Sequence, residues 1–153
     1  MRVRDAMTVA PASCDAATPV RLAAQLMSDH DCAALPVTDS GRLVGIITDR
    51  DLTCRALARY DHAPEMPVLR FMSRPVLTVA PDDAIEKAVL LMEENAIHHL
   101  PVIDGDGNLL GIVAQSDLGR RMTNREFGRM ARSTSIRSRG IYLRTDALVR
   151  TEH

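Results

Sequence analysis

Tryptophan is absent from this 153-residue chain, and only two Phe and two Tyr are present. The 46% hydrophobic share must therefore be packed almost wholly from Val, Leu, Ile, Met and Ala. Cysteine is equally sparse. Cys14, Cys32 and Cys54 are odd in number and widely spaced, which argues against a disulfide framework and against a zinc site. They read as small core fillers in a reducing compartment. No apolar run approaches the ~20 residues that span a bilayer. The first residues, Met1 to Met7, carry Arg2, Arg4 and Asp5 with no apolar stretch behind them, unlike a secretory signal. The expectation is a cytoplasmic protein without membrane association. Of nineteen basic residues only Lys87 is a lysine.

Catalytic signatures are missing as well. There is no Gly-x-Ser-x-Gly elbow, no Gly-rich phosphate loop ending in Lys-Ser/Thr, and no metal-ligand cluster. Asp49 and Asp51 at a helix start would point about 200° apart, unsuited to shared work on one substrate. His98 and His99 are adjacent on an expected strand and face opposite ways, so they cannot chelate one ion together. The sequence points away from an enzyme and gives no metal site.

What is present is a repeat. At a spacing of 65, Val3 and Met7 match Val68 and Met72, Leu35-Pro-Val37 matches Leu100-Pro-Val102, and Asp39 matches Asp104. The spacing becomes 66 after the turn Asp104-Gly-Asp-Gly107, which is one residue longer than Asp39-Ser-Gly41. Gly45-Ile-Ile47 then matches Gly111-Ile-Val113, and Asp51-Leu52 matches Asp117-Leu118. One indel, placed in a turn, is what a duplicated unit would show. The expected boundaries are 1–62 for the first copy, 63–122 for the second, and 123–153 for an Arg-rich tail. A linker with Pro64 and Pro67 occupies 59–67.

Each copy reads as βαββα. A short extended piece (Ala12 to Cys14; Leu77 to Val79) precedes a helix. Thr18 with Pro19 is an expected helix start, and Asp83 with Glu86 an expected capping box. Val20, Ala23, Ala24 and Met27 recur at helical spacing, as do Ile85, Ala88, Val89 and Met92. Strands through Leu35–Thr38 and His99–Ile103 lead by tight turns into apolar strands, Leu43–Ile47 and Leu109–Val113, expected to be covered on both faces. Second helices start near Asp49 and Gln115.

The junction Gly45-Ile-Ile-Thr-Asp-Arg-Asp51 admits two readings. Thr48 and Asp51 fit a capping box. They also fit a ligand site, in which Thr48 and the helix amides hold a phosphate, Asp51 accepts from ribose hydroxyls and Arg50 adds charge. The two copies together resemble tandem CBS domains, the Bateman module, over residues 3 to about 121. The resemblance implies an α/β fold of two βαββα repeats packed by their sheets about a pseudo-twofold axis. It further implies two clefts for an adenosine-containing regulatory ligand (AMP, ADP, ATP or S-adenosylmethionine), with no cofactor required. By that resemblance Thr48 and Asp51 serve one cleft and Asp117 the other. Pro11 and Ala12, and Val76 and Leu77, frame adenine, while Ala34 and His99 close the pocket. Copy two departs from the pattern, because Ala114 stands where a hydroxyl is expected and Ser116 where copy one has Arg50. The Thr48/Asp51 cleft is therefore expected to be the better nucleotide site.

Charge is unevenly spread. Residues 1–118 hold ten basic and seventeen acidic groups, whereas 119–153 hold nine Arg against Glu126, Asp146 and Glu152. The helical spacing of Arg120, Arg121, Arg125, Arg129 and Arg132 with Phe127 and Met130 lets the second helix of copy two run on. Residues 133–140 read as a loop and Ile141 to Val149 as a short ordered element. The expected function is a regulatory sensor, homodimeric as the resemblance implies, acting on a protein partner in trans. Two alternatives stay open: a structural or dimerisation module with inactive clefts, and a nucleic-acid-binding accessory using the tail. Arg without interleaved aromatics supports the last only weakly.

Overall fold

The computed structural model describes residues 1–132; the loop and the ordered element expected at 133–149 lie outside the described residues. Among the described residues, six strands form two three-stranded sheets. In one, β2 (Cys14–Asp15) runs parallel to β3 (Ala34–Asp39), which pairs antiparallel with β4 (Arg42–Thr48). In the other, β1 (Thr8–Val9) pairs antiparallel with β6 (Leu109–Ala114), which pairs with β5 (His99–Ile103). The helices are α1 (Val20–Asp29), α2 (Asp51–Leu57), α3 (Ile85–Asn95) and α4 (Gln115–Gly119), followed by a helical stretch over 124–132.

All four long strands expected from the Leu-Pro-Val and Gly-Ile segments form, each within a residue of its expected ends. Both apolar strands are covered on two sides. In β4, Gly45 and Ile47 are buried and Val44 and Ile46 half-buried, and β6 repeats this at Gly111, Val113, Leu110 and Ile112.

The cores show how the copies are joined. Val20, Ala23, Met27, Leu35, Val37, Ile47 and Leu52 form one core, which is completed by Val68, Phe71 and Met72. Ile85, Ala88, Met92, Leu100, Val102, Val113 and Leu118 form the other, completed by Val3. The segment that opens each copy thus packs into the core of the other. Backbone hydrogen bonds confirm the exchange in matched pairs: Val20 N–H donates to Met66 O and Ile85 N–H to Met1 O, while Val68 N–H donates to Thr18 O and Val3 N–H to Asp83 O. The hairpin tips meet in the same reciprocal way, with Leu43 N–H on Gly107 O and Leu109 N–H on Gly41 O, both at 3.0 Å. This is the pseudo-twofold axis.

The exchange explains two departures from the expected helix starts. Thr18 does not cap α1. Pro19 holds the cap position without a side-chain bond, and Thr18 is buried. Asp83 does not cap α3 either; Ala84 does, and the Asp83 carboxylate takes the Ala80 amide and the Lys87 ammonium, each at 2.8 Å. The first amide of each helix is met by a carbonyl of the crossing segment, Met66 for α1 and Met1 for α3, so no side-chain cap is required there. Ala24 is exposed, so the buried stripe of α1 is narrower than its spacing implied. The chain also does not run on helically past Gly119. It breaks and restarts behind Thr123 and Glu126, whose side chains and amides cap each other at 3.0 Å and 3.4 Å. The new helix returns Phe127 and Met130 to the second core. Among the cysteines, Cys14 is a core filler and Cys32 half-buried, but Cys54 is exposed.

Gly45 and Gly111 lie where the exchanged segments pass closest. A Cβ on Gly45 would sit 2.5 Å from Met72 Sδ, whereas one on Gly111 would sit 2.8 Å from both Met7 Sδ and the Thr8 carbonyl oxygen. A methionine side chain can turn aside, but a strand carbonyl cannot. Gly111→Ala is expected to cost about 1–3 kcal/mol in urea unfolding, and Gly45→Ala distinctly less.

Candidate functional site

Where β6 gives way to α4, the Asp117 carboxylate turns back and accepts the Ala114 N–H at 3.0 Å. The same return occurs where β4 meets α2. Asp51 Oδ2 accepts the Thr48 N–H at 3.0 Å, and Thr48 Oγ accepts the Asp51 N–H at 3.2 Å. Copy one thus has both halves of a capping box, and copy two only the carboxylate half. A further matched pair holds these junctions against the neighbouring strands, with Asp49 N–H on Ala33 O and Gln115 N–H on His98 O.

A cavity of about 500 Å³ opens at the junction in copy two. Its wall comes from both copies: Thr8 and Ala10 to Ala12, His30 to Ala34 behind α1, His99 on β5, and Ile112, Ala114, Ser116 and Asp117. Five residues singled out from the sequence, Pro11, Ala12, Ala34, His99 and Asp117, stand together on this wall. Thr48, Arg50, Asp51, Val76 and Leu77 do not line it. Asp51 is buried with its carboxylate 3.6 Å from the Arg55 guanidinium, Val76 is half-buried and Leu77 exposed. Burial pushes the Asp51 carboxyl up, against the lowering effect of the Thr48 amide and Arg55. In α2 itself the backbone is π-wound, and the Thr53 hydroxyl donates to the Asp49 carbonyl at 3.0 Å.

Ser116, which the comparison of the copies sets opposite Arg50, also stands on the wall. Other wall residues are unmarked in the sequence. Thr8 and the His30-Asp31-Cys32 turn carry no motif. They reach the site because β1 crosses to β6 and because α1 ends beside Ala33.

Two imidazoles separate as their alternation requires. His98 is exposed and contacts the Gln115 side chain; His99 is half-buried on the cavity wall. Burial holds His99 below the ordinary histidine value, and His98 adds to the lowering, while the Asp49 and Asp117 carboxylates oppose it. The fold therefore favours neutral His99. The associated stability is present above about pH 6.5 and is lost as pH falls through the lowered value. His99→Gln is expected to lose less stability than the parent between pH 7.5 and pH 5, read from urea midpoints. An equal loss would show that another group carries the acid sensitivity. Cys14, by contrast, is pushed up to about 11 by burial, which makes it a poor nucleophile. Among the described residues, no group of three or more His, Cys, Asp and Glu could hold a metal ion, and no helix is long and apolar enough to cross a membrane.

Comparison with known proteins fits this geometry. The CBS domain family model matches residues 3–56 and again 68–124. The CBS domain-containing protein YhcV of Bacillus subtilis is 36% identical over 127 residues, covering 82% of this chain and 89% of that protein. Inosine-5′-monophosphate dehydrogenase of Thermoplasma acidophilum is 32% identical over 116 residues, 76% of this chain but only 21% of the enzyme. Among solved structures, the CBS domain pair of protein MJ0100, in complex with 5′-methylthioadenosine and S-adenosyl-L-methionine, superposes with a TM-score of 0.73 at 29% identity, covering 79% of this chain and 94% of that one. CBSX2 in complex with AMP superposes at 0.68 with 28% identity, covering 78% and 94%. Two matches of one family model in tandem, exchanged segments about a pseudo-twofold axis, and a relative of similar length all agree: the chain belongs to the CBS-domain family and is a CBS domain pair.

Proposed function

We propose that this pair is a regulatory module that binds an adenosine-containing ligand between its repeats, and that it is not a catalyst. One observation carries the reading: Pro11, Ala12, Ala34, His99 and Asp117, drawn from both copies, converge on one cavity of about 500 Å³. That volume lies within the range of small-molecule sites. The complexes of MJ0100 and CBSX2 with adenosine compounds support the choice of ligand class. In this reading the free lone pairs of Asp117 accept from ribose hydroxyls. Pro11, Ala12, Ala34 and Ile112 flank the base, and Ser116 and His99 serve the 5′ end. Thr48, Arg50 and Asp51, with Val76 and Leu77, serve the pseudo-equivalent second cleft.

Because the site is built from both repeats, a ligand there biases their mutual packing. A homodimer in the cytoplasm would transmit that change to a protein partner in trans. A thermal-shift series with AMP, ADP, ATP and S-adenosylmethionine tests the ligand class. A ligand at about 100 times its Kd stabilises by about 2.7 kcal/mol; no shift with any of them at millimolar concentration overturns the proposal.

A second reading, a purely structural module, draws on Ala114, which lacks a hydroxyl, and on Asp51, whose carboxylate is engaged by Thr48 and Arg55. Under that reading Asp51→Ala and Asp117→Ala leave partner binding unchanged.

A further inference from the structure

The electrical character of the cavity narrows its ligand. Among the described residues on its wall, none is Lys or Arg, and the charged side chains are the carboxylates of Asp31 and Asp117. The other polar side chains are the hydroxyls of Thr8 and Ser116, the thiol of Cys32 and the imidazoles of His30 and His99. Multiply charged phosphate chains are held by Arg and Lys, by metal ions, or by long runs of free backbone amides. Here the first amide of the β6–α4 junction is already taken by the Asp117 carboxylate at 3.0 Å. Position 116 also bears a serine where the first copy has Arg50, and position 114 an alanine where the first copy has Thr48. The second copy has thus lost both side chains that would favour a phosphate, while Asp31 brings a negative charge from the turn behind α1.

Resting on the adenosine reading above, we infer that this cavity selects an adenosine compound whose 5′ substituent is uncharged or cationic, a thioether or a sulfonium, and rejects nucleoside phosphates. Asp117 engages the ribose in either case. Asp31 supplies the selectivity: it lines the cavity, is exposed, and lies at φ 49° in the turn behind α1.

 The positive φ is a conformation Asn adopts as readily as Asp, so the charge can be removed there without disturbing the turn.

The test is a titration of the full-length protein at pH 8, followed through the amide resonances of Ala33 and Ser116. Both residues line this cavity and report most directly on a ligand held in it. The probes are 5′-methylthioadenosine, S-adenosylmethionine, AMP and ATP. The first two are expected to bind at least about ten-fold more tightly than ATP. Asp31→Asn is expected to leave 5′-methylthioadenosine unchanged and to narrow the gap between S-adenosylmethionine and ATP at least about three-fold. Binding of AMP or ATP as tight as that of 5′-methylthioadenosine overturns the inference while leaving the adenosine reading intact, and so does an Asp31→Asn protein with an unchanged gap. Failure of all four probes overturns both.

Discussion

Asp117→Ala is expected to weaken binding of adenosine compounds about ten- to a hundred-fold. A hydrogen bond to a charged group is worth about 1.5–3 kcal/mol, and each 1.4 kcal/mol is a factor of ten in affinity. The carboxylate also accepts the Ala114 N–H at 3.0 Å, so the same substitution removes a helix cap and costs about 1 kcal/mol of stability. Asp117→Asn separates the two effects. Its amide oxygen still caps Ala114, while the negative charge offered to the ribose is gone. The expected pattern is near-parental unfolding in urea with clearly weakened binding by calorimetry. Parental affinity in both variants would remove Asp117 from the site.

The largest effect on stability is expected from Val3, which opens the first repeat but packs in the core of the second. Val3 is fully buried in the core built by Ile85, Leu100, Val102 and Val113. Val3→Ala removes about two methylene equivalents at ~0.8 kcal/mol each and leaves a cavity besides, for a total of about 2–3 kcal/mol. Amide exchange should quicken at Val102 and Val113, in the second repeat, before it does at Leu35 and Ile47. Val68→Ala should do the reverse, because Val68 is buried in the first core. Exchange that quickened within each residue's own repeat would contradict the crossing.

That crossing marks the limit of what the sequence makes legible. The strands were readable because Leu35-Pro-Val and Leu100-Pro-Val, and the Gly-Ile runs after them, carry local patterns. The helices were readable from Val20, Ala23 and Met27 and from Ile85, Ala88 and Met92. Their starts do not fall at Thr18 and Asp83 as local capping rules imply, because those rules cannot register a carbonyl supplied by Met66 or Met1 from the other copy. The break after Gly119 is invisible to the arginine spacing; it is set by the mutual cap of Thr123 and Glu126. The candidate site divides in the same way. Asp117, His99 and Ala34 sit on recognisable segments, and the structure gathers them. His30, Asp31 and Cys32 form a turn without a motif, and only the tertiary fold brings them to the wall.

A crystal structure of the full-length protein grown with adenosine most directly tests the central claim, that one adenosine compound is held by both repeats at once. The expected result is a ligand between Ala12 and Ala34 on one side and Ile112 on the other, with ribose hydroxyls within hydrogen-bond distance of the Asp117 carboxylate. An empty cavity at saturating adenosine, or adenosine bound only outside it, would contradict the claim.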